Sequence, residues 1–492
     1  MNRFFAAAVV FCSSAVVLVL EVTVIRLVAP YAGDTLETYT AAIGVTLAAI
    51  ALGARLGGAA ADRRPHRPLL AVLLLLGGGT TLLARPVVLL LGPLCAGAGP
   101  FTALLLVGCG IAVPVALLSA VPPVVVKTQL ADAARSGSVV GRLSAWGTAG
   151  ALAGTVLTGY VLVALFPVST ILLLSGGATV AGGLLFAVRG ALFSRTGRPR
   201  NVLVLLGICL ISGTLLVSVP SPCTAETAYY CARVTADPHR PHGRVLYLDD
   251  LRHSYVDLAD PTHLEFGYTQ WFGAAVDTQL PAGPVDSLHV GGGASTMPRW
   301  LAAVRPGSTS LVLEIDPAVA ELARTELGLR TGADLAVVTG DARTSIVALP
   351  SRSYDLVLGD AFSGLSVPWH LTTLEFAEQV HRVLRPSGWY AVNVIDRGDR
   401  DFLAAQAATL SQVFSHLVLI VEHGTWGSPA GGNHVLLASD TPFDTDALAA
   451  ALAGTPVPGS LVAPGHLARL SSRGPVLTDD YAPVDQLLTP YL

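Results

Sequence analysis

Residues 1–219 contain seven apolar stretches of about membrane-spanning length: 4–29, 40–60, 69–93, 101–121, 143–164, 169–188 and 201–219. A bilayer core is crossed by about 20 apolar residues in helical form. Backbone polar groups find no water there and must bond within the segment, which leaves few folds open to such a chain. The expected N-terminal part is therefore a multi-span α-helical membrane domain, residues 1–219, with about seven transmembrane helices. The first stretch is too long for a signal-peptide core and no clear small-residue cleavage site follows it, so it is expected to be retained.

Basic residues set an expected orientation. The connection 61–68 carries Arg63, Arg64 and Arg67, 122–142 carries Lys127, Arg135 and Arg142, and 189–200 carries Arg189, Arg195, Arg198 and Arg200. The alternate connections, 30–39, 94–100 and 165–168, carry neither Lys nor Arg. Arg3 falls on the basic side. Positive residues stay in the cytoplasm, so the N-terminus is expected there. Seven spans then leave the C-terminal half outside the cytoplasm, and a span more or fewer reverses that side. Glu21, Arg26 and Arg85 lie in or near spans, where charge is expensive. Their expected use is a Glu–Arg pair holding helices together.

The chain is 52% hydrophobic and 13% charged, against about 25% charged in soluble proteins. The deficit of charge sits in residues 1–219, whereas 220–492 has the composition of an ordinary soluble domain, long enough to bury its own core. A net charge of −4 and the lack of a basic patch in the second half give nucleic-acid binding no support. Cys12, Cys95, Cys109 and Cys209 lie within apolar stretches and read as small hydrophobes. Cys223 and Cys231 flank TAETAYY; pairing there would require an oxidising compartment, and spacing alone leaves it open.

Short β segments, AYYCARV, RVLYLDD and HSYVDL, suggest a small β-rich subdomain over 220–285. From Ser287 the pattern changes. SLHV, LVLEI, LAVV and YDLVLGD read as strands, separated by the helical patterns PRWLAAV, AVAELARTEL and Leu371 to Leu384. WYAVNVI, HLVLIVEH and HVLLAS supply later strands. Such alternation predicts a parallel sheet with flanking helices, an α/β Rossmann-like domain of the class I methyltransferase type over 286–492, with ligands beyond the carboxyl ends of the strands.

The motifs at those ends lie in chain order. Gly291 and Gly293 end the first strand and open a helix, letting the backbone turn tightly and approach a ligand. Glu314 ends the second strand, twenty-one residues past Gly293, where a carboxylate can accept both ribose hydroxyls. Asp341, in GDA with Ala342, can accept from an adenine amino group or cap a helix. Asp360 ends the fourth strand and could accept a proton from an amine nucleophile or hold a cation. His370, in SVPWHLTT, belongs to a segment that could fold over the pocket. No HExxH, CxxC pair or GxxxxGK[ST] motif occurs, so no metal site is expected.

Taken together, YLDDLRHSYVDLADPTHLEFGYTQ, LHVGGGAS, LEID, GDA, YDLVLGDAFSG and LTDDYAPVDQL resemble the spermidine synthases, the aminopropyltransferases, and more closely the bacterial membrane-fused spermidine synthase-like proteins. The nucleotide motifs are shared with many methyltransferases, whereas the LDD…EFGY block is more specific. The resemblance implies a membrane-bound aminopropyl transfer from decarboxylated S-adenosylmethionine to a polyamine or other small amine. The donor is a cosubstrate, with no permanently bound cofactor. Gly291, Gly293, Glu314, Asp341 and Ala342 would hold the adenosyl part, Asp360 would deprotonate the amine, and Tyr268 and His253 would bind substrate. A homodimer is implied in the same way, alongside the lipid bilayer as partner.

Two departures bear on the substrates. The resembled enzymes carry an aspartate after the glycines, where this chain has Ala294, and a second aspartate three residues past the catalytic one, where it has Ser363. A buried ammonium without an anionic partner is costly; Asp360, Glu265 or a residue of LTDDYAPVD are the candidates to compensate. Two other readings stay open: a methyltransferase using intact S-adenosylmethionine, and a membrane transporter or sensor whose second half binds a nucleoside without catalysis.

Overall fold

A computed structural model describes residues 2–33, 36–95, 101–130, 136–193, 199–362, 364, 367–429 and 431–488. The chain divides into two compact units, residues 1–233 with 248–251, and residues 234–247 with 252–492.

The first unit is helical. Its helices are α1 (Arg3–Ala32), α2 (Leu36–Arg63), α3 (His66–Cys95), α4 (Phe101–Ser119), α5 (Val121–Gln129), α6 (Ser136–Leu157), α7 (Val163–Leu165), α8 (Val168–Phe193) and α9 (Pro199–Ser218), with a π-helical turn at Thr158–Leu162 joining α6 to α7. Among the described residues six helices are long and apolar enough to cross a membrane. The seventh expected span, 201–219, forms α9, whose apolar part Leu203–Ser218 is shorter. The fourth span runs further than expected: helix continues through Pro122 and Pro123 to Gln129. A proline in the first turn forfeits only an amide that has no helical partner there, so the chain restarts as α5. Lys127 consequently sits on helix, 2.7 Å from Asp62.

The intramembrane charges are used differently from the expected Glu–Arg pair. Glu21 joins no ion pair among the described residues. Buried Arg85 donates to the carbonyls of Leu216 (2.8 Å) and Val219 (3.0 Å) at the end of α9 and lies 3.7 Å from Glu226. Arg26 donates to the carbonyls of Thr227, Ala228 and Tyr229. These bonds tie the segment after α9 to the helices, which is why the first unit runs past residue 219 to Arg233. Cys223 and Cys231 in that segment form a disulfide.

Four short strands, β1 (Ala225–Glu226), β2 (Cys231–Ala236), β3 (Gly243–Leu248) and β4 (Leu251–Asp257), pair in sequential order. The second unit is built on an eight-stranded sheet of β5 (Asp286–Val290), β6 (Thr309–Glu314), β7 (Leu335–Thr339), β8 (Tyr354–Gly359), β9 (Leu384–Asp396), β10 (His416–Glu422), β11 (Gly432–Ser439) and β12 (Gly459–Leu461), in the order β12-β10-β11-β9-β8-β5-β6-β7. The expected parallel sheet holds for β7-β6-β5-β8-β9. From β9 onward the pairing is antiparallel, because β10 returns through a short connection to β11, which lies between it and β9. The sheet is mixed.

Helices α10 (Gly267–Gln279), α11 (Thr296–Val304), α12 (Pro317–Thr325), α13 (Ala342–Ser345), α14 (Leu374–Val383), α15 (Asp401–Leu410), α16 (Thr445–Ala453), α17 (Pro464–Arg473) and α18 (Val484–Leu487) complete the unit. Residues alternate across each strand, so two apolar layers form. Val357 and Val392 face one, with Phe376 and Phe402; Leu356, Leu358 and Trp389 face the other, with Trp271 and Phe272 of α10. Strand order reverses at β5, whose neighbours are β6 and β8. The carboxyl ends of β5 and β8 therefore flank the crevice where such sheets bind ligands.

Candidate active site

The crevice begins with a backbone contact that only glycine permits. Gly291, just past β5, has φ of +98°, and a Cβ there would stand 2.4 Å from the carbonyl oxygen of Asp360. The Asp360 amide donates to the Val290 carbonyl at 2.9 Å. The glycine turn and the end of β8 are thus held against each other. Gly293 has φ of +48°, and a Cβ there would lie 2.6 Å from Ser254 Oγ and 3.1 Å from His253 Nδ1. Glu314 accepts from the amides of Gly292 (2.9 Å) and Gly293 (3.0 Å) through Oε2 and from Asp316 (2.9 Å) through Oε1. Burial raises its pKa against those three bonds. In addition to any ribose contact, Glu314 shapes the glycine loop, a role its spacing did not disclose.

Asp360 closes the crevice. The Tyr268 hydroxyl donates to Oδ2 at 2.9 Å and Asn393 Nδ2 donates to Oδ1 at 3.0 Å. Removal from bulk water pushes its pKa from 3.8 up to about 6, opposed by the bonds from Asn393 and Tyr268. Burial, then the neighbouring charge of Asp360, drives the Tyr268 phenol well above its usual pKa. Tyr268 reaches this point from the first turn of α10, the EFGY segment. Asn393 is 2% exposed on β9, and Asn433 Nδ2 donates to its Oδ1 at 3.1 Å. Sequence reading missed both asparagines; the available signal was one amide side chain inside the apolar run WYAVNVI.

A small cavity of about 30 Å3 opens between α10 and the strand ends, lined by Tyr268, Asp360, Gly291, Gly292, Glu265 and His289 among others. Of the predicted site residues it unites Gly291, Tyr268 and Asp360, while Gly293, Glu314, Asp341, Ala342 and His253 do not line it. His289 bonds to Ser287 at 2.9 Å, and burial lowers its pKa to about 3. His253 lies beside the glycine loop, 3.0 Å from Ser254 Oγ, with its pKa lowered to about 4 by burial. Both rings are neutral at physiological pH.

Asp341 caps α13 through a 2.8 Å bond from the Arg343 amide, and His370 Nε2 lies 3.4 Å from the same oxygen. Within the SVPWHLTT segment, the described residues 367–373 therefore include a side chain, His370, that packs at the predicted adenine end. Ala342 is buried beneath it. Ala294 is 1% exposed and offers the cavity no charge; Ser363 lies outside the described residues. In LTDDYAPVD, Asp479 pairs with Arg343 and accepts from Thr373 at 2.8 Å, which commits it to joining α13 and α14. Glu265 lines the cavity. Among the described residues no cluster could hold a metal ion.

A family model described as a methyltransferase domain matches residues 288–392. The polyamine aminopropyltransferase of Vibrio vulnificus is 36% identical over 112 residues, 22% of this chain and 38% of that protein. That of Chromobacterium violaceum is 29% identical over 141 residues, 28% of this chain and 53% of that protein. The chain thus spans about a third to a half of the length of these curated relatives. A crystal structure of a probable spermidine synthase from Corynebacterium glutamicum superposes with a TM-score of 0.50 at 28% identity, covering 55% of this chain and 100% of that one. Sequence and fold agree: the chain is spermidine synthase-like.

Proposed function

We propose that this protein is a membrane-bound aminopropyltransferase that moves an aminopropyl group from decarboxylated S-adenosylmethionine to a polyamine or similar small amine. The observation that carries this is the Asp360 carboxylate, held by Tyr268 and Asn393 against the Gly291 turn at the wall of an aromatic cavity. Gly291, Gly293, Glu314, Asp341 and Ala342 would cradle the adenosyl part, and Tyr268 and His253 would contact substrate.

The reaction is a displacement. The amine nitrogen attacks the methylene carbon beside the sulfonium, the carbon–sulfur bond breaks, and its electron pair stays on sulfur. Methylthioadenosine leaves as a neutral thioether. The proton shed by the amine passes to Asp360. With a pKa of about 6 the carboxylate is ionised at neutral pH yet basic enough to take that proton. Little else is asked of the protein than to align the two reactants and exclude water.

The six long apolar helices support a membrane location. The basic connections support a cytoplasmic N-terminus, and with α9 counted as a seventh span, beyond the six long ones, the second unit would lie on the opposite side. The Cys223–Cys231 disulfide supports that side, since such bonds persist in oxidising compartments. Calorimetry of the purified full-length protein with methylthioadenosine tests the nucleoside half of this proposal. Saturable one-site heat is expected; no heat from folded protein rejects the proposal.

A further inference from the structure

We propose that Glu265 reads the ammonium of the donor's aminopropyl arm, which rests on the aminopropyl-transfer reading above. A cation that gives up part of its hydration on entering a cavity is stabilised by an anionic partner there. Among the described residues lining this cavity only Asp360 and Glu265 carry carboxylates. Asp360 already accepts from Tyr268 and Asn393 and is assigned to the attacking amine in the proposed transfer. Ala294, buried at the end of the glycine run, contributes no charge. Glu265 is the remaining carboxylate.

Its surroundings suit the role. Glu265 Oε1 accepts from Arg252 Nη2 at 3.1 Å and Oε2 is 3.2 Å from His263 Nε2. An ionised carboxylate has about four acceptor positions, so two stay open. Arg252 has support of its own, with its guanidinium over the rings of Phe266 (4.9 Å) and Tyr255 (5.7 Å). Its side chain is 41% exposed, so water screens its repulsion of a second cation. Glu265 shares the cavity with Gly291 and Gly292, whereas Tyr268 and Phe272 give the methylenes of the arm an apolar wall.

The test is calorimetry on the full-length protein with two neutral-sulfur nucleosides, 5′-(3-aminopropylthio)adenosine and 5′-propylthioadenosine, which differ in the amine. Wild type is expected to prefer the amine by at least about tenfold, the worth of one hydrogen-bonded charge. Glu265→Gln is expected to bring the two within about twofold while leaving the affinity for the propyl compound unchanged. Glu265→Asp, which keeps the charge, is expected to retain part of the preference. An undiminished preference in Glu265→Gln, equal loss of both ligands, or no preference in wild type overturns this assignment and leaves the transfer reading standing. Failure of both nucleosides to bind folded wild type overturns both.

Discussion

The Tyr268 hydroxyl donates to Asp360 Oδ2 at 2.9 Å, joining residues 92 positions apart at the end of a strand and the start of a helix. Together with the Asn393 bond it fixes the carboxylate plane while burial keeps the group weakly acidic. Asp360→Asn retains the shape and removes the base. Transfer is expected to fall at least about a hundredfold, with methylthioadenosine affinity unchanged by calorimetry. Activity close to wild type would remove Asp360 from the mechanism.

The same carboxyl predicts a pH dependence. kcat/KM is expected to rise with pH on the acid side, with an inflection near 6, as Asp360 becomes ionised. Stability runs the other way. The folded pKa is raised above the unfolded value of 3.8, so the stabilising contribution of this group is complete below the unfolded value and lost as pH climbs through about 6. Thermal melts should therefore show Asp360→Asn gaining on wild type between about pH 4 and pH 7. A constant difference would mean that Asp360 titrates normally.

Asn393 positions Asp360 and, with Asn433, forms a short amide relay. Asn393→Ala removes a bond that favours the ionised carboxylate. Its acid limb should move to higher pH, and kcat should drop about ten- to a hundredfold through misalignment. The donor KM should stay unchanged. A fall in kcat with an unmoved limb would assign Asn393 a packing role only.

At Gly291 a methyl group would collide with the backbone of Asp360. The backbone also sits at φ of +98°, where side chains are strained. Gly291→Ala is expected to lose about 1–3 kcal/mol of stability and measurable nucleoside binding together. Denaturant melts and calorimetry check both; a stable variant that binds normally contradicts the tight approach of β5 and β8.

Cys223 and Cys231 are expected to resist a membrane-impermeant thiol reagent on intact cells until an impermeant reductant is added. Labelling after reduction would support the outer side for the segment following α9. Labelling of both thiols only in permeabilised cells would put it in the cytoplasm.

Much of this was legible in the sequence because the signals were local. Apolar length announced the helices of the first unit, and glycines or acids at strand ends announced Gly291, Glu314 and Asp360. Long-range pairing was not legible. The antiparallel return of β10 and β11 looks, strand by strand, like a continued parallel pattern, since buried strands of either kind are apolar. Arg85 and Arg26 looked like partners for Glu21, but their carbonyl partners lie some 130 and 200 residues away. Asn393 was hidden because nothing in WYAVNVI reveals which carboxylate its amide will meet.

The central claim is aminopropyl transfer at Asp360, and product analysis tests it most directly. Purified full-length protein is incubated with decarboxylated S-adenosylmethionine and a diamine, and both products are followed by mass spectrometry. The expected result is methylthioadenosine and the aminopropylated amine in equal amounts, both lost in Asp360→Asn. Folded protein that forms neither product, or that transfers a methyl group from intact S-adenosylmethionine instead, would contradict the account.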